Sequence, residues 1–528
     1  MHLATALELA ADRYPDIDAI VTPSARFSYG EWNRRINSVS WGLKNAGVRP
    51  GDRVAICAQN GEAPATTYFA IQKAGAAAVM LNARWKHRDI AYAIHEAGVR
   101  AILYDQTTRD QVLQAAKEAG VGEGAGKVVP ISCSSDYRTQ DPGALAYETL
   151  AAGPTHRAPE IARDNCSTNT VLYTSGTTGQ PKGVCRSARS DYYSALAIIL
   201  EHRWERFERF LAVMPLYHTM GLHTLISSVL LNGTAVLPPK PEPGECLHRI
   251  GTEQITALYL VPTVYHDLVE AAASGGVRHR SVRKLAFAGA PMSPNLVNQC
   301  FDTFRPAIFV NQYGCTEMLA VTVNPRLGPK PLSAGRPALH TRIRIVTADR
   351  DRTVAPAEVL PRGRTGEVII DAASPQTFAG YLNQPKATAQ VLRDGWYFTG
   401  DLGFVDDDGD LFLVGRIDDM IITGGENVFP GEIEAILLSH PGVAEAAVVG
   451  LPDERWGQRI AAFVVPAAPG LTGAELARFC LESPILPRFK RPRRFTFVKE
   501  IPKTPTGKVL RAPLRKGKFI PLESCERK

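Results

Sequence analysis

The sequence contains no run of about 18 consecutive apolar residues, so no membrane-spanning helix is expected. Its opening, MHLATALELAADRYPD, lacks a basic head followed by an apolar core, so a secretory leader is not expected either. Closely paired cysteines are also missing. Cys57, Cys133, Cys166, Cys185, Cys246, Cys300, Cys315, Cys480 and Cys525 are odd in number and widely spaced, which argues against a disulfide frame or a zinc site. Reduced thiols of this kind predict a cytoplasmic protein. A strong charge of one sign is absent too. The 60 Lys and Arg exceed the 53 Asp and Glu by 7, which suits small anions as well as nucleic acid and selects neither. There is no internal repeat and no low-complexity segment. What is abundant is apolar side chain, at 45%, which excludes disorder as the main state. The 528 residues are too many for one core, so at least two domains are expected.

Strand and helix patterns alternate through about residue 310. Trp32, Ile36, Val39 and Leu43 recur at helical spacing, and RVAIC (53–57) follows as a short apolar strand. A helical stretch at 64–74, AAAVML (76–81), a further helix and AILYD (101–105) continue the rhythm. Such alternation predicts an α/β architecture with parallel sheets flanked by helices. Residues 120–165, rich in Gly, Pro, Ser and Asp, read as a surface connection. From about 330, short strands and turns such as TRIRIVTADRD and GEVIIDA predict a β-rich subdomain. Near 416 the pattern changes again. Ile433, Ile436 and Leu437 fall on one helical face between strand-like MIIT (420–423) and AAVVG (446–450), as in a small α+β domain. The division expected is 1–415 and 416–528.

The most specific string is YTSGTTGQPKG (173–183). An apolar strand runs into a loop of glycines, hydroxyls and one lysine, and a helix follows in which Ser190–Asp191 read as the cap and Tyr193, Leu196, Ala197 and Leu200 stand at helical spacing. Glycines allow backbone N–H groups to close around phosphate oxygens, and Thr174, Ser175, Gly176, Thr177, Thr178, Gly179 and Lys182 supply that lining. It is not a Walker loop, because Gly183 follows the lysine.

With this loop, NQYGCTE (311–317), YFTGDLG (397–403), GRIDDMIITGGENV (415–428) and PKTPTGK (502–508) occur in order. Together they resemble the adenylate-forming superfamily of acyl- and aryl-CoA synthetases, adenylation domains and luciferases, over essentially the whole chain. The resemblance implies a large N-terminal domain that binds acid and ATP, and a small mobile C-terminal domain turning about a hinge at Asp418. Asp419 beside it shows that an acidic pair here could equally be a solvated loop.

Physically, an aromatic ring beside glycine suits a purine, Thr316 can donate to a phosphate, and Glu317 can hold Mg²⁺ through oxygen. By resemblance, Asn311, Gln312, Tyr313 and Gly314 face the adenine on one side and Gly289, Ala290 and Pro291 on the other. Asp401 and Arg416 meet the ribose, although a Gly–Asp pair alone is more often a turn. Lys508 is implied as the catalytic lysine at the α-phosphate. It lies in a strongly basic tail, 487–519, in which Glu500 is the only acid. Such a tail could be plain solvated surface or could attract the phosphates of coenzyme A; no nucleic-acid fold signature accompanies it.

PLYH, GRIDDMI, RWGQ (455–458) and FKRP (489–492) are similar in particular to aryl-CoA ligases of the chlorobenzoate type. That resemblance implies coenzyme A contacts at Arg84, Gly425, Trp456, Phe489, Arg491 and Arg493. It implies an acid pocket of His218, Thr219, Met220, Ala288, Gly289, Gln312, Gly314 and Leu319. Gln312 replaces an apolar side chain of the chlorobenzoate enzymes, which admits aminobenzoate or hydroxybenzoate beside benzoate. Ala188 stands where many relatives carry His, a departure near the pocket. The expected activity is ATP- and Mg²⁺-dependent formation of an acyl-CoA by way of an acyl-AMP, in a monomer or homodimer. A medium-chain fatty acid, or a free carrier protein as acceptor, is the alternative; a nucleic-acid partner is not expected.

Overall fold

The computed structural model describes residues 1–119, 128–133, 141, 143–153, 155–161, 164–174, 180–240, 242–275, 280–349, 352–424, 426–483, 486–503 and 509–522. Among them, two largely parallel sheets dominate. One has the order Gly380–Tyr381, Lys182–Ser187, Thr168–Thr174, Ala77–Met80, Arg53–Cys57, Val99–Tyr104, Val129–Ser132, Leu145–Ala146. The other runs Arg336–Pro337, Thr322–Asn324, Ile308–Tyr313, Lys284–Phe287, Ala257–Leu260, Arg209–Leu211, Thr234–Val236, Asp18–Val21, Arg26–Ser28. RVAIC forms a strand with the bounds that its apolar run predicts. The helix Tyr29–Asn45 buries Trp32, Ile36, Val39 and Leu43 completely, the result expected of one apolar stripe against a core.

The helix Thr219–Leu230 lies between the sheets. Met220 joins the core of the second sheet, while Leu222, Leu225, Ile226 and Val229 join that of the first. The helix is buried from Met220 through Val229, and the hydroxyls of Thr224 and Ser228 are satisfied by donating back to Met220 O and Leu225 O of the same helix. No helix among the described residues is long and apolar enough to cross a membrane.

Two expectations need correction. Residues 120–165 are not solely a surface connection: Val129–Ser132 and Leu145–Ala146 extend the first sheet in parallel, and Ile131 is fully buried. Strands this short show no periodicity in the sequence. The helix after the glycine-rich loop begins at Ala188, capped by Ser187 rather than by Ser190–Asp191. Its buried face carries Asp191, Ser194, Ala195 and Ile198, whereas Leu200 is 57% exposed. An internal ion pair decides that face, as described below.

The β-rich region is an antiparallel sheet of Ile343–Val346, Gly366–Asp371, Trp396–Val405, Leu392–Arg393 and Leu411–Arg416. Beyond it, Ile421–Thr423 pairs with Glu426–Val428, and Val443–Asp453, Gly457–Pro466 and Arg494–Phe497 form a third unit of strands. Ile433, Ile436 and Leu437 of the helix Pro430–Leu438 pack on that unit, as their spacing predicts.

Candidate active site

The strand Ile308–Tyr313 ends in a tight loop that aims several motif side chains at one region. The Cys315 N–H donates to Met318 O at 3.0 Å, and the Gln312 amide donates to Leu319 O at 3.0 Å. Position 314 has no room for a side chain: a Cβ there would lie 1.6 Å from Leu319 O. Asn311, at the strand end, donates to Ser333 O at 2.9 Å, so its amide nitrogen is held inside the protein. Phe287 pairs with Asn311, which brings the following Ala288, Gly289, Ala290 and Pro291 beside the same strand end. Gly289 has a φ of +88° there.

Asp401 joins three motif segments. The Tyr313 hydroxyl donates to its Oδ2 at 2.6 Å, and Arg416 Nη1 to its Oδ1 at 2.7 Å. Asp401 and Arg416 are cross-strand partners, which fixes this geometry through the sheet register. The strand bends at Gly400, whose φ is +71° and where a Cβ would come within 2.9 Å of Arg416 Nη2. Burial is the largest single influence and works against the Arg416 charge, but Asp401 together with Tyr313, Tyr397 and Asp418 outweighs it and holds the guanidinium's pKa above its ordinary value.

Glu317 is buried. Its Oε1 accepts the Tyr381 hydroxyl at 2.7 Å, and Oε2 accepts no hydrogen bond among the described residues. A carboxylate oxygen free of hydrogen bonds on a largely buried residue suits a hard divalent cation such as Mg²⁺. Lys182 Nζ stands 5.1 Å from the centre of the Tyr381 ring. Lys182 pairs across the sheet with Thr174, so the loop between them leaves and returns at one point beside Tyr381. Ser175, Gly176, Thr177, Thr178 and Gly179 lie outside the described residues. The one cluster of three carboxylates among the described residues, Asp406, Asp408 and Asp410, already holds a cation: Lys330 Nζ binds them at 2.6, 2.6 and 2.8 Å.

Beneath Thr316 and Glu317 lies a fully buried ion pair. Arg186 binds Asp191 and Ser194, and donates to Thr316 O at 2.9 Å and Glu317 O at 3.4 Å. His223 Nε2 lies 3.2 Å from Asp191, and its Nδ1 is 2.9 Å from Thr219 O. Burial alone would raise the Asp191 pKa, but Arg186 and His223 outweigh it and keep the carboxylate charged. Neither Tyr381 nor this group follows from any motif. The available signal was a charged residue in mid-strand beside Val184 and Cys185, with Asp191 five residues on: a buried charge requires a partner.

His218 occupies the N-cap of the helix Thr219–Leu230 without capping it. Its Nε2 is buried and has no partner among the described residues. Burial, with a smaller effect of nearby Arg84, lowers its pKa to about 4, so the ring is neutral at physiological pH. Arg84, expected near coenzyme A, is thus an electrostatic neighbour of His218. Met220, Ala288 and Leu319 share one buried apolar cluster.

In the C-terminal part, Trp456 and Arg493 come together, with the guanidinium 5.6 Å from the ring centroid. Gly424, next to Gly425, donates its N–H to Trp456 O at 2.9 Å. Phe489 is 41% exposed, whereas Arg491 turns back to Leu481 O at 3.0 Å. Gly425 and Lys508 lie outside the described residues; of the residues on either side of the lysine, the Leu510 N–H donates to Pro502 O at 2.8 Å. Asp418 is exposed and makes no ion pair among the described residues. Asp419 pairs with Arg515 at 2.8 Å and Arg511 at 3.3 Å. The basic tail is less free than its composition suggests. Lys490, Lys503 and Arg511 pair with Glu432, Glu445 and Glu434, acids that lie outside 487–519.

Sequence and structure comparisons define the class as the adenylate-forming enzymes. The AMP-binding enzyme model matches residues 7–382, and the AMP-binding enzyme C-terminal domain model matches 432–508. A 4-chlorobenzoate–CoA ligase from Arthrobacter sp. is 34% identical over 521 residues, 97% of this chain and 95% of that protein. An ATP-bound MatB from Rhodopseudomonas palustris superposes with a TM-score of 0.84 at 28% identity, covering 98% of this chain and 99% of that one. An anthranilate CoA ligase in complex with anthranoyl-AMP does so with a TM-score of 0.87 at 25% identity, covering 98% and 97%. The chain belongs to the AMP-binding enzyme family, and as an acid–thiol ligase of that family it uses ATP.

Proposed function

We propose that the protein is an ATP- and Mg²⁺-dependent aryl-CoA ligase that converts a benzoate-type acid (benzoate, aminobenzoate or hydroxybenzoate) to its coenzyme A thioester. The observation that carries the nucleotide half is the joining of three separated motifs at Asp401 through Tyr313 and Arg416. The aryl half is supported by the likeness to a 4-chlorobenzoate–CoA ligase and an anthranilate CoA ligase.

Residues 1–415 and 416–528 act as two domains in this reading. Tyr313 and the 288–291 segment hold the adenine, and Asp401 and Arg416 the ribose. Thr316, Lys182 and the loop 174–179 bind the phosphates. Glu317 would hold Mg²⁺, which when bound neutralises part of the triphosphate's charge. In the first half-reaction a carboxylate oxygen attacks the α-phosphorus in line. The bond to the bridging oxygen breaks, pyrophosphate leaves and acyl-AMP forms, with Lys508 stabilising the developing charge. The small domain then turns about Asp418, withdrawing Lys508 and bringing Trp456, Phe489, Arg491 and Arg493 to coenzyme A. The thiol sulfur bonds to the acyl carbon as the carbon–oxygen bond to AMP breaks, and the thiol proton is released. Because Lys508 serves the first step alone, a hinge is required.

ATP–pyrophosphate exchange across benzoate, 2-aminobenzoate, 2- and 4-hydroxybenzoate, 4-chlorobenzoate, cyclohexanecarboxylate, octanoate and acetate tests this reading. Exchange confined to aryl acids is expected. Exchange with octanoate alone would keep the chemistry and remove the aryl assignment.

A further inference from the structure

Four polar side chains are buried together without the hydrogen bonds that burial demands. His202 follows the helix Ala188–Glu201, Trp204 stands two residues beyond, Tyr259 lies in the strand Ala257–Leu260, and Gln312 in Ile308–Tyr313. None is more than 5% exposed. The His202 ring centroid is 4.9 Å from that of Trp204 and 4.8 Å from that of Tyr259. Both ring nitrogens of His202, the Trp204 indole nitrogen, the Tyr259 hydroxyl and the Gln312 amide oxygen have no hydrogen-bond partner among the described residues. The Gln312 nitrogen is committed to Leu319 O, and its oxygen faces the His202 ring closely enough to favour an N–H there, though short of a full hydrogen bond.

Native proteins carry few such atoms, because each has lost water without compensation. Five in one cluster, surrounded by apolar side chains, call for a guest that can both donate and accept. The cluster is also neutral. Burial lowers the His202 pKa to about 3, so the ring carries no charge at physiological pH. A carboxylate guest would therefore find no counter-charge from it, and a hydrocarbon or halogen would leave the polar atoms unsatisfied.

Its location ties it to the acid pocket. Tyr259 pairs with Ala286 and Ala286 with Val310, so by the alternation of strand side chains Tyr259, Ala288 and Gln312 face the same side of the sheet. Trp204 and Tyr259 belong to the buried cluster that holds Met220, Ala288 and Leu319.

We infer that His202, Trp204, Tyr259 and Gln312 form a polar wall of the acid pocket and select an aromatic acid bearing a neutral hydroxyl or amino substituent. The inference rests on the aryl-acid reading above and narrows it. The Tyr259 hydroxyl and Gln312 oxygen are its readable elements, because phenylalanine and leucine remove each with little change of shape.

The test compares kcat/KM in pyrophosphate exchange for benzoate, 4-chlorobenzoate, terephthalate, and the 2-, 3- and 4-hydroxy- and aminobenzoates. At least one hydroxy- or aminobenzoate should exceed benzoate by about tenfold or more, a site built for hydrogen bonding being intolerant of analogues that lack the group. Tyr259→Phe and Gln312→Leu should each lower that ratio about tenfold, and Tyr259→Phe should not lower the thermal midpoint of the acid-free enzyme. A merely structural role would change both acids' kcat/KM in parallel and leave the ratio intact. Benzoate or 4-chlorobenzoate equalling the best polar acid, or an unchanged ratio in both variants, would overturn the inference while sparing the aryl-acid reading. Exchange with none of the aromatic acids would overturn both.

Discussion

Asp401 shows how much a single side chain can concentrate. It accepts from Tyr313, which is buried, and from Arg416, which is partly buried, so truncation leaves two donors without their acceptor at once. Asp401→Ala should raise the KM for ATP about tenfold or more and cost on the order of 1–3 kcal/mol of stability. ATP titrations and chemical denaturation would measure the two losses; an unchanged ATP KM would remove Asp401 from the nucleotide site. The buried histidines make a second prediction. His202 and His218 have folded pKa values of about 3 and about 4, below the ordinary value near 6.5. The unfolded chain therefore binds more protons between those limits. Their contribution is complete above about pH 6.5 and is lost as pH falls toward 4, on the order of 1 kcal/mol per pH unit for each histidine. Thermal midpoints measured across that window should fall; a flat profile would contradict the neutral, buried state. At this scale the motif residues were legible in the sequence, because Tyr313, Asp401 and Arg416 stand in recognisable strings. Tyr381 was not, since it lies in a two-residue strand with no periodicity, 64 residues from its partner Glu317.

At the scale of elements, Arg186 connects the strand Lys182–Ser187, the helix Ala188–Glu201 and the Thr316–Glu317 turn. Through His223 the same group reaches Thr219 at the start of the central helix. Arg186→Met removes the main counter-charge of buried Asp191 and leaves it only His223 at 3.2 Å, so a loss of about 3–5 kcal/mol is expected by denaturant titration. Adding Asp191→Asn should recover part of it, the coupling expected of contacting residues. Full additivity of the two substitutions would show that the pair acts separately. Strand and helix rhythm was readable where elements were long, as in Tyr29–Asn45 and Arg53–Cys57. The start and buried face of the helix Ala188–Glu201 were not, because an ion pair rather than an apolar stripe orients it. Likewise, counting charges within 487–519 overstated the free positive surface, since Glu432, Glu434 and Glu445 come from earlier elements.

For the whole molecule, the proposed account requires two arrangements of one small domain. Lys508→Ala should abolish acyl-AMP formation but leave thioester formation from supplied acyl-AMP, as measured by the two half-reactions separately. Equal loss in both would remove the assigned role. The parallel sheets and the order of motifs made the architecture legible from the sequence, and Gln312 was readable as a pocket residue, but His202, Trp204 and Tyr259 were not, because they meet it only in the folded chain. The central claim is most directly tested by incubating the enzyme with ATP, Mg²⁺, coenzyme A and the preferred aryl acid and quantifying all products. The account predicts AMP, pyrophosphate and aryl-CoA in equal amounts. ADP in place of AMP, or AMP released without a matching thioester, would contradict it.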